Sequence, residues 1–271
     1  MTTGKSRRFQ SVANRKSSPP FILGHRGASA VAPENTLAAF SRAIIDGADG
    51  IEFDVRLSRD GVPVVIHDAT LKRTGRIDRL VSELTAAELQ EVDVGSWFGE
   101  TKKKTFREKL PTLTQVFELF SANNGLLYIE MKCDKNEGPL LAAEVARLTR
   151  EARMAERVVV ESFDHAAIAA VKQIDSGIRT AALFEPRLTR PISTVRRLKM
   201  VDTALGVGAD EIALHHTLAG VRVVEKARQA GLEVVVWTVD DPTWIRRARA
   251  LDIKALIAND PASMLNHRKV S

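Results

Sequence analysis

The chain has 271 residues, 44% hydrophobic and 27% charged, with a net charge of +6. That suits one large α/β domain or two small ones, in a soluble globule of ordinary composition. No apolar run approaches the ~20 residues of a membrane helix, the basic N-terminus lacks the apolar core of a secretory signal, and Cys133, the single cysteine, excludes an intrachain disulfide or a Cys-based zinc site.

A cytoplasmic location is the expectation that follows. The charge excess is concentrated in residues 1–20, where Lys5, Arg7, Arg8, Arg15 and Lys16 stand without an acid. This segment reads as a disordered, solvated tail. Binding of RNA or a membrane surface by the tail is the competing reading. The remainder, 21–271, is close to neutral, so no nucleic-acid partner is expected for it.

In chain order, Phe21-Ile22-Leu23 is a short apolar strand ending at Gly24-His25-Arg26-Gly27. Asn35 suits a helix cap, with Leu37, Phe40, Ile44 and Ile45 on one face and Gly47 as the stop. The stretch Gly50–Asp68 then begins as a buried strand with Ile51, Phe53 and Val55, yet sets Glu52 and Asp54 between them. Residues two apart on a strand share a face, so the two carboxylates point the same way, ~7 Å apart. Asp60-Gly61 makes a tight turn and an apolar run returns to His67-Asp68.

Residues 69–111 read as polar and irregular, with a short helix at 85–91 and a lysine run at Lys102, Lys103 and Lys104. So much irregular chain is unusual in a compact domain unless it is functional. The segment therefore reads as an insertion beside a site.

From Pro111 helices and strands alternate. Helices are expected over 112–123, 137–153, 165–174, 193–204 and 218–230, and strands over 126–131, 158–161, 179–184, 211–214, 233–237 and 254–258. Asp241-Pro242 and Asp260-Pro261 open two more helices. With the first two strands this makes eight strands and eight helices. Parallel pairing with right-handed crossovers follows, and a (β/α)₈ TIM barrel with a small insertion after the second strand fits the length. An open doubly wound sheet is the alternative, weakened by the lack of a Gly-x-Gly-x-x-Gly after the first strand.

Barrel active sites lie at the C-terminal strand ends. Those ends carry His25-Arg26, Glu52 and Asp54 with His67 returning beside them, Glu130 and Lys132, Glu161-Ser162-Phe163, Trp237, and Asn259-Asp260. Three carboxylates inside a barrel cannot all stay ionised uncompensated. A hard divalent cation, Mg²⁺ or Ca²⁺, is the simplest compensation. A salt-bridge network among Glu52, Asp54, Glu130, Arg26 and Lys132 is the structural alternative. His25 and His67 at one rim fit a general acid and base. Arg26 and Lys132 suit a phosphate; a Schiff-base role for Lys132 is disfavoured, because neighbouring carboxylates raise its pKa. His215-His216 reads as a polar loop, His165 as a helix start, and Cys133 as a bystander. Trp237 is either a substrate wall or core.

The motifs GHRGASAVAPENTLAAF (24–40), GADGIEFDVRLSRDGVPVVIHDATLKRT (47–74), LPTLTQVFEL (110–119) and YIEMK (128–132) resemble the glycerophosphodiester phosphodiesterase family, with WTVDDP (237–242) and ANDP (258–261) matching more loosely. RTG at 73–75 and ANDP are small departures from the family pattern. The resemblance covers about residues 21–265. It implies a (β/α)₈ barrel with an insertion after the second strand, here 69–111. It further implies Glu52, Asp54 and Glu130 as ligands of a divalent metal, His25 and His67 as the acid/base pair, Arg26 and Lys132 as phosphate contacts, and Phe163 and Trp237 at the glycerol side. The expected reaction is metal-dependent hydrolysis of a small-molecule glycerophosphodiester to sn-glycerol 3-phosphate and an alcohol. Lysophospholipase D-like hydrolysis of lysophospholipids on the same site is the alternative. Head-group preference, the first nucleophile (water or the glycerol 2-hydroxyl) and oligomeric state are left open.

Overall fold

The computed structural model describes residues 19–102, 106–133, 136–186 and 194–270. The basic residues of the expected tail, and Lys103 and Lys104, lie outside the described residues. Strand β1 (Phe21–His25) leads into α1 (Leu37–Ile45), and β2 (Gly50–Leu57) turns back as β3 (Pro63–Val65). Two short helices, α2 (Ala86–Leu89) and α3 (Ser96–Lys102), precede α4 (Leu113–Phe120). Strict alternation follows: β4 (Leu126–Met131), α5 (Gly138–Glu151), β5 (Val158–Ser162), α6 (His165–Ile174), β6 (Arg179–Phe184) and α7 (Thr194–Gly206). It continues with β7 (Glu211–His215), α8 (Val221–Gln229), β8 (Glu233–Trp237), α9 (Thr243–Leu251), β9 (Ala255–Ala258) and α10 (Pro261–Val270).

Eight strands pair in parallel in the order β1-β9-β8-β7-β6-β5-β4-β2, and β1 pairs with β2 to close the ring. The fold is a (β/α)₈ TIM barrel; β3 is an added antiparallel strand on β2. Because strand side chains alternate, each strand has an inner and an outer set. The inner set forms a core of Leu23, Leu126, Tyr128, Val159, Ala181, Leu183, Ala213, Val235, Ala255 and Ile257. The outer set, such as Ile51, Phe53, Val55, Leu127 and Ile129, packs against the helices. The same parity turns Glu52, Asp54, Glu130, Glu161, Phe163, Trp237 and Asn259 inward, above or between the apolar residues.

Charge also seals the other end. Buried Glu211 accepts a hydrogen bond from the Tyr128 hydroxyl (2.8 Å) and pairs with Arg179 (3.0 Å) and with Lys254. Lys254 and Arg179 both reach Glu233, at 2.8 and 2.6 Å. This network lies at the N-terminal strand ends, the barrel face associated with stability.

Three local expectations change. Thr36, not Asn35, caps α1, its Oγ1 accepting from Ala39 N at 3.2 Å; Asn35 adopts a left-handed φ of 58° and points elsewhere. Helix α9 starts at Thr243 with Pro242 at the cap position, while Asp241 accepts from Thr243 N. The described residues of segment 69–111 are not loose chain. Leu71, Val81, Ala86, Leu89, Val92, Val94 and Leu110 pack with Val64 and Ile66 into a satellite core. Its apolar residues come one per turn from short elements and bridges, so they carry no helical or strand period.

Candidate active site

The turn after β1 sets the site's first two side chains. Arg26 has φ 53° and Gly27 φ 82°. A Cβ at Gly27 would lie 2.6 Å from the Ala39 carbonyl carbon, so this tight approach to α1 admits glycine alone. The turn lets the Arg26 backbone N–H donate to Glu52 Oε2 at 3.1 Å. The Arg26 guanidinium donates to Glu34 at 2.7 Å and sits 3.1 Å from Asp54 Oδ2.

Glu52, Asp54 and Glu130 are buried at 3%, 0% and 7% exposure, and one oxygen of each lies within 4.8 Å of the others. Oxygens on opposite sides of one Ca²⁺-sized ion lie about 4.8 Å apart, from two bonds of ~2.4 Å. Three hard oxygen donors are the chemistry that Mg²⁺ and Ca²⁺ take, so the residues fit such an ion. Asp54 Oδ1 and Glu130 Oε1 lack a well-directed hydrogen bond, although Lys132 Nζ is 3.3 and 2.5 Å away. Asn35 holds the other Asp54 oxygen, donating at 2.8 Å.

The charges do not balance. Burial, then the Asp54 charge, pushes Glu52 well above the usual carboxylate range and Glu130 up to about 7. Burial acts on Asp54 in the same direction, but Arg26 and Lys132 overcome it and hold that carboxyl well below its ordinary value. Burial opposes the Lys132 charge, yet Asp54 and Glu130 raise its pKa, which is the wrong direction for a Schiff-base nucleophile. The carboxylates thus have more negative charge than the two cations neutralise.

The histidines are each oriented by a relay. Asp240 accepts from Asn259 Nδ2 at 2.7 Å, which fixes the amide so that its Oδ1 faces His25 Nδ1 at 2.7 Å. His25 therefore donates from Nδ1 and keeps Nε2, 3.8 Å from Glu52 Oε2, without that proton. His67 Nδ1 pairs with Asp68 Oδ1 at 2.7 Å, and Arg73 donates to Asp68 and to Glu34 at 2.7 and 2.8 Å. Burial lowers the pKa of both histidines; Arg26 adds to it at His25, and Lys132 and Arg26 at His67, where Asp54 and Asp68 oppose.

His25, Arg26, Glu52, His67, Glu130, Lys132, Phe163 and Trp237 line one cleft with about 430 Å³ of open space. Asp54, fully buried, stands beside Glu130 at the same height of the barrel. Phe163 and Trp237 meet edge to face at 5.6 Å, and Lys132 Nζ stands 5.6 Å over the Phe163 ring. The geometry thus brings together all nine residues singled out in the sequence. Trp237 joins the wall of the cleft, and His215, the last residue of β7 where a polar loop was expected, meets its ring edge to face at 5.2 Å. His165 opens α6 as expected. Cys133 is half-buried, and burial raises its thiol to about 12, which leaves it inert.

Sequence reasoning gave no site role to the residues that hold these side chains: Glu34, Asn35, Asp68, Arg73 and Asp240, with Asn259 marked only as a strand end. It also assigned no role to Glu161, which lies inside the cleft. Only its inward parity on β5, read against Glu130 on β4, marked it.

Residues 25–263 match the model of the glycerophosphoryl diester phosphodiesterase family. A glycerophosphodiester phosphodiesterase of Caldanaerobacter subterraneus subsp. tengcongensis is 33% identical over 247 residues, covering 90% of this chain and 96% of the relative. The crystal structure of a putative glycerophosphoryl diester phosphodiesterase from Silicibacter pomeroyi superposes with a TM-score of 0.82 at 26% identity, covering 94% of each chain. A phosphodiesterase from Oleispira antarctica, solved with the product sn-glycerol-3-phosphate, superposes with a TM-score of 0.81 at 26% identity, over 96% of this chain and all of that one. The chain belongs to the glycerophosphoryl diester phosphodiesterase family and is an enzyme of its class, a phosphoric diester hydrolase.

Proposed function

We propose that the enzyme hydrolyses glycerophosphodiesters to sn-glycerol 3-phosphate and an alcohol. The observation that carries this reading is the convergence of two relay-held histidines, two cations and three carboxylates on one cleft in a chain of this family. A divalent cation, Mg²⁺ or Ca²⁺, held by Glu52, Asp54 and Glu130 would supply neutralisation of charge that develops on the phosphoryl oxygens.

The other steps fall to protein groups. Arg26 and Lys132 bind the phosphodiester anion and stabilise the charge that builds on it. His25 Nε2, backed by the neutral Asn259 amide, accepts the proton of the nucleophile; attack by water gives sn-glycerol 3-phosphate directly, and attack by the glycerol 2-hydroxyl gives a cyclic phosphate that water then opens. His67, backed by the Asp68 carboxylate, keeps a proton more readily and gives it to the leaving alcohol as the P–O bond breaks. Phe163 and Trp237 pack against the glycerol carbons and keep bulk water from the reacting phosphorus.

The test is a turnover panel of glycerophosphodiesters with choline, ethanolamine and glycerol head groups, assayed with each metal. His25→Ala and His67→Ala should each lower turnover ~10²–10⁴-fold, the scale of a lost acid or base. EDTA should abolish activity and Mg²⁺ or Ca²⁺ restore it. Near-normal turnover in both histidine variants, or indifference to EDTA, overturns the assignment.

A further inference from the structure

Glu161 is a fourth carboxylate in the cleft, one more than the proposed cation needs. It is 1% exposed, and its Oε2 has no hydrogen-bond partner among the described residues. Its register partner across β4–β5 is Glu130, so it stands at the height of the carboxylate cluster, one strand further round the barrel. A buried polar oxygen left unpaired is costly. A second orphan lines the same cleft, because Trp237 Nε1 is a buried N–H with no partner among the described residues. The cleft thus offers an acceptor and a donor, and a hydroxyl group can use both.

The cleft is also divided. Arg26, His67 and Lys132 occupy the β1–β4 side, where the phosphate is placed. Phe163, Leu183, Trp237 and Ile257 supply apolar surface on the β5–β9 side, with the exposed Glu185 as its one charged residue besides Glu161 among the described residues. A glycerol arm running from the phosphate onto that apolar side first passes Glu161, which stands on β5 beside the strand that carries Glu130. We propose, on the strength of the phosphodiesterase reading, that Glu161 is the specificity residue that hydrogen-bonds the terminal hydroxyl of the glycerol arm. Trp237 Nε1 serves as the complementary donor. The enzyme is thereby selective for a free terminal hydroxyl over substrates that lack it or carry an ester there.

The test compares two diesters that share the head group favoured in the turnover panel. One carries glycerol; the other carries propane-1,2-diol, which keeps the hydroxyl next to the phosphoester and lacks the terminal one. Wild-type kcat/KM should favour glycerol about tenfold, the scale of a buried polar partner left unsatisfied when the hydroxyl is missing. Glu161→Leu should bring the ratio of the two substrates to within about threefold, mainly by raising KM for the glycerol ester. Glu161→Gln, which keeps an acceptor and adds a donor at the same length, should hold most of the preference. If Glu161→Leu fails to fold, Glu161→Met, of similar length and without a hydrogen-bonding oxygen, gives the same comparison. Hydrolysis of both esters at equal efficiency by the wild type, or an equal proportional loss on both in Glu161→Leu, overturns the Glu161 assignment alone. Hydrolysis of neither ester by the wild type overturns the phosphodiesterase reading as well.

Discussion

Each histidine of the cleft is defined by what its Nδ1 touches. His25 leans on an amide that is itself held by Asp240, and His67 leans on a carboxylate that is itself held by Arg73. An imidazolium gains more from a carboxylate than from an amide, which is why His67 is given the acid role. Asp68→Asn should therefore lower the His67 pKa further, since the bond from Asp68 raises it. With less imidazolium at any given pH above that pKa, the alkaline limb of kcat/KM should move to lower pH while the acid limb, set by His25, stays. A pH profile of the two enzymes checks this, and an unmoved alkaline limb removes the acid role. His25, His67 and the carboxylates were legible because polar residues at strand ends break a strong rule. Asp68 and Asn35 were not, because a polar residue beside a turn is ordinary until its partner is known, and Asn259, visible as a strand end, had no role until its partner His25 was placed. Asn35 reads equally well as a helix cap, and only the fold shows it reaching Asp54.

At the scale of elements, apolar period and length located β4, β6, β8 and α6 to the residue. The segment between β3 and α4 resisted because its core is assembled from single residues on separate turns. That core has consequences for the site. Arg73 comes from this segment, lies 5.8 Å from the Trp97 ring, and bonds both Asp68 and Glu34. The satellite core is thus the platform that holds the His67 relay. Leu89, fully buried within it, tests the platform. Leu89→Ala should cost about 2–5 kcal/mol of stability, the usual range for a buried leucine. Denaturant unfolding measures the loss, and a change below about 1 kcal/mol would show the segment to be loosely packed.

The whole molecule places charge at both ends of one apolar barrel, with opposite outcomes. At the N-terminal end Glu211 meets Lys254, Arg179 and Tyr128, and despite its burial its pKa is lowered, so it stays ionised. At the C-terminal end Glu52, Glu130 and Glu161 are driven the other way by burial, then by neighbouring carboxylates: Asp54 at Glu52 and Glu130, and Glu52 and Glu130 at Glu161. One end is neutralised by its own side chains; the other is left in need of positive charge. The sign of the stability effect follows. Glu130 binds its proton more tightly folded than unfolded, so its contribution is full below its ordinary 4.5 and is lost as pH rises to about 7. A cation at the carboxylates competes with that proton and replaces it as the pH climbs. Without divalent cation, this group should destabilise the protein between about pH 4.5 and 7. Added Mg²⁺ or Ca²⁺ should raise Tm, and by more at pH 8 than at pH 5.5, because at the lower pH protons already occupy the oxygens. Thermal melts at both pH values, with and without each ion, give the answer independently of turnover. A Tm that ignores both ions at pH 8 would mean that the three carboxylates are held by Arg26 and Lys132 alone.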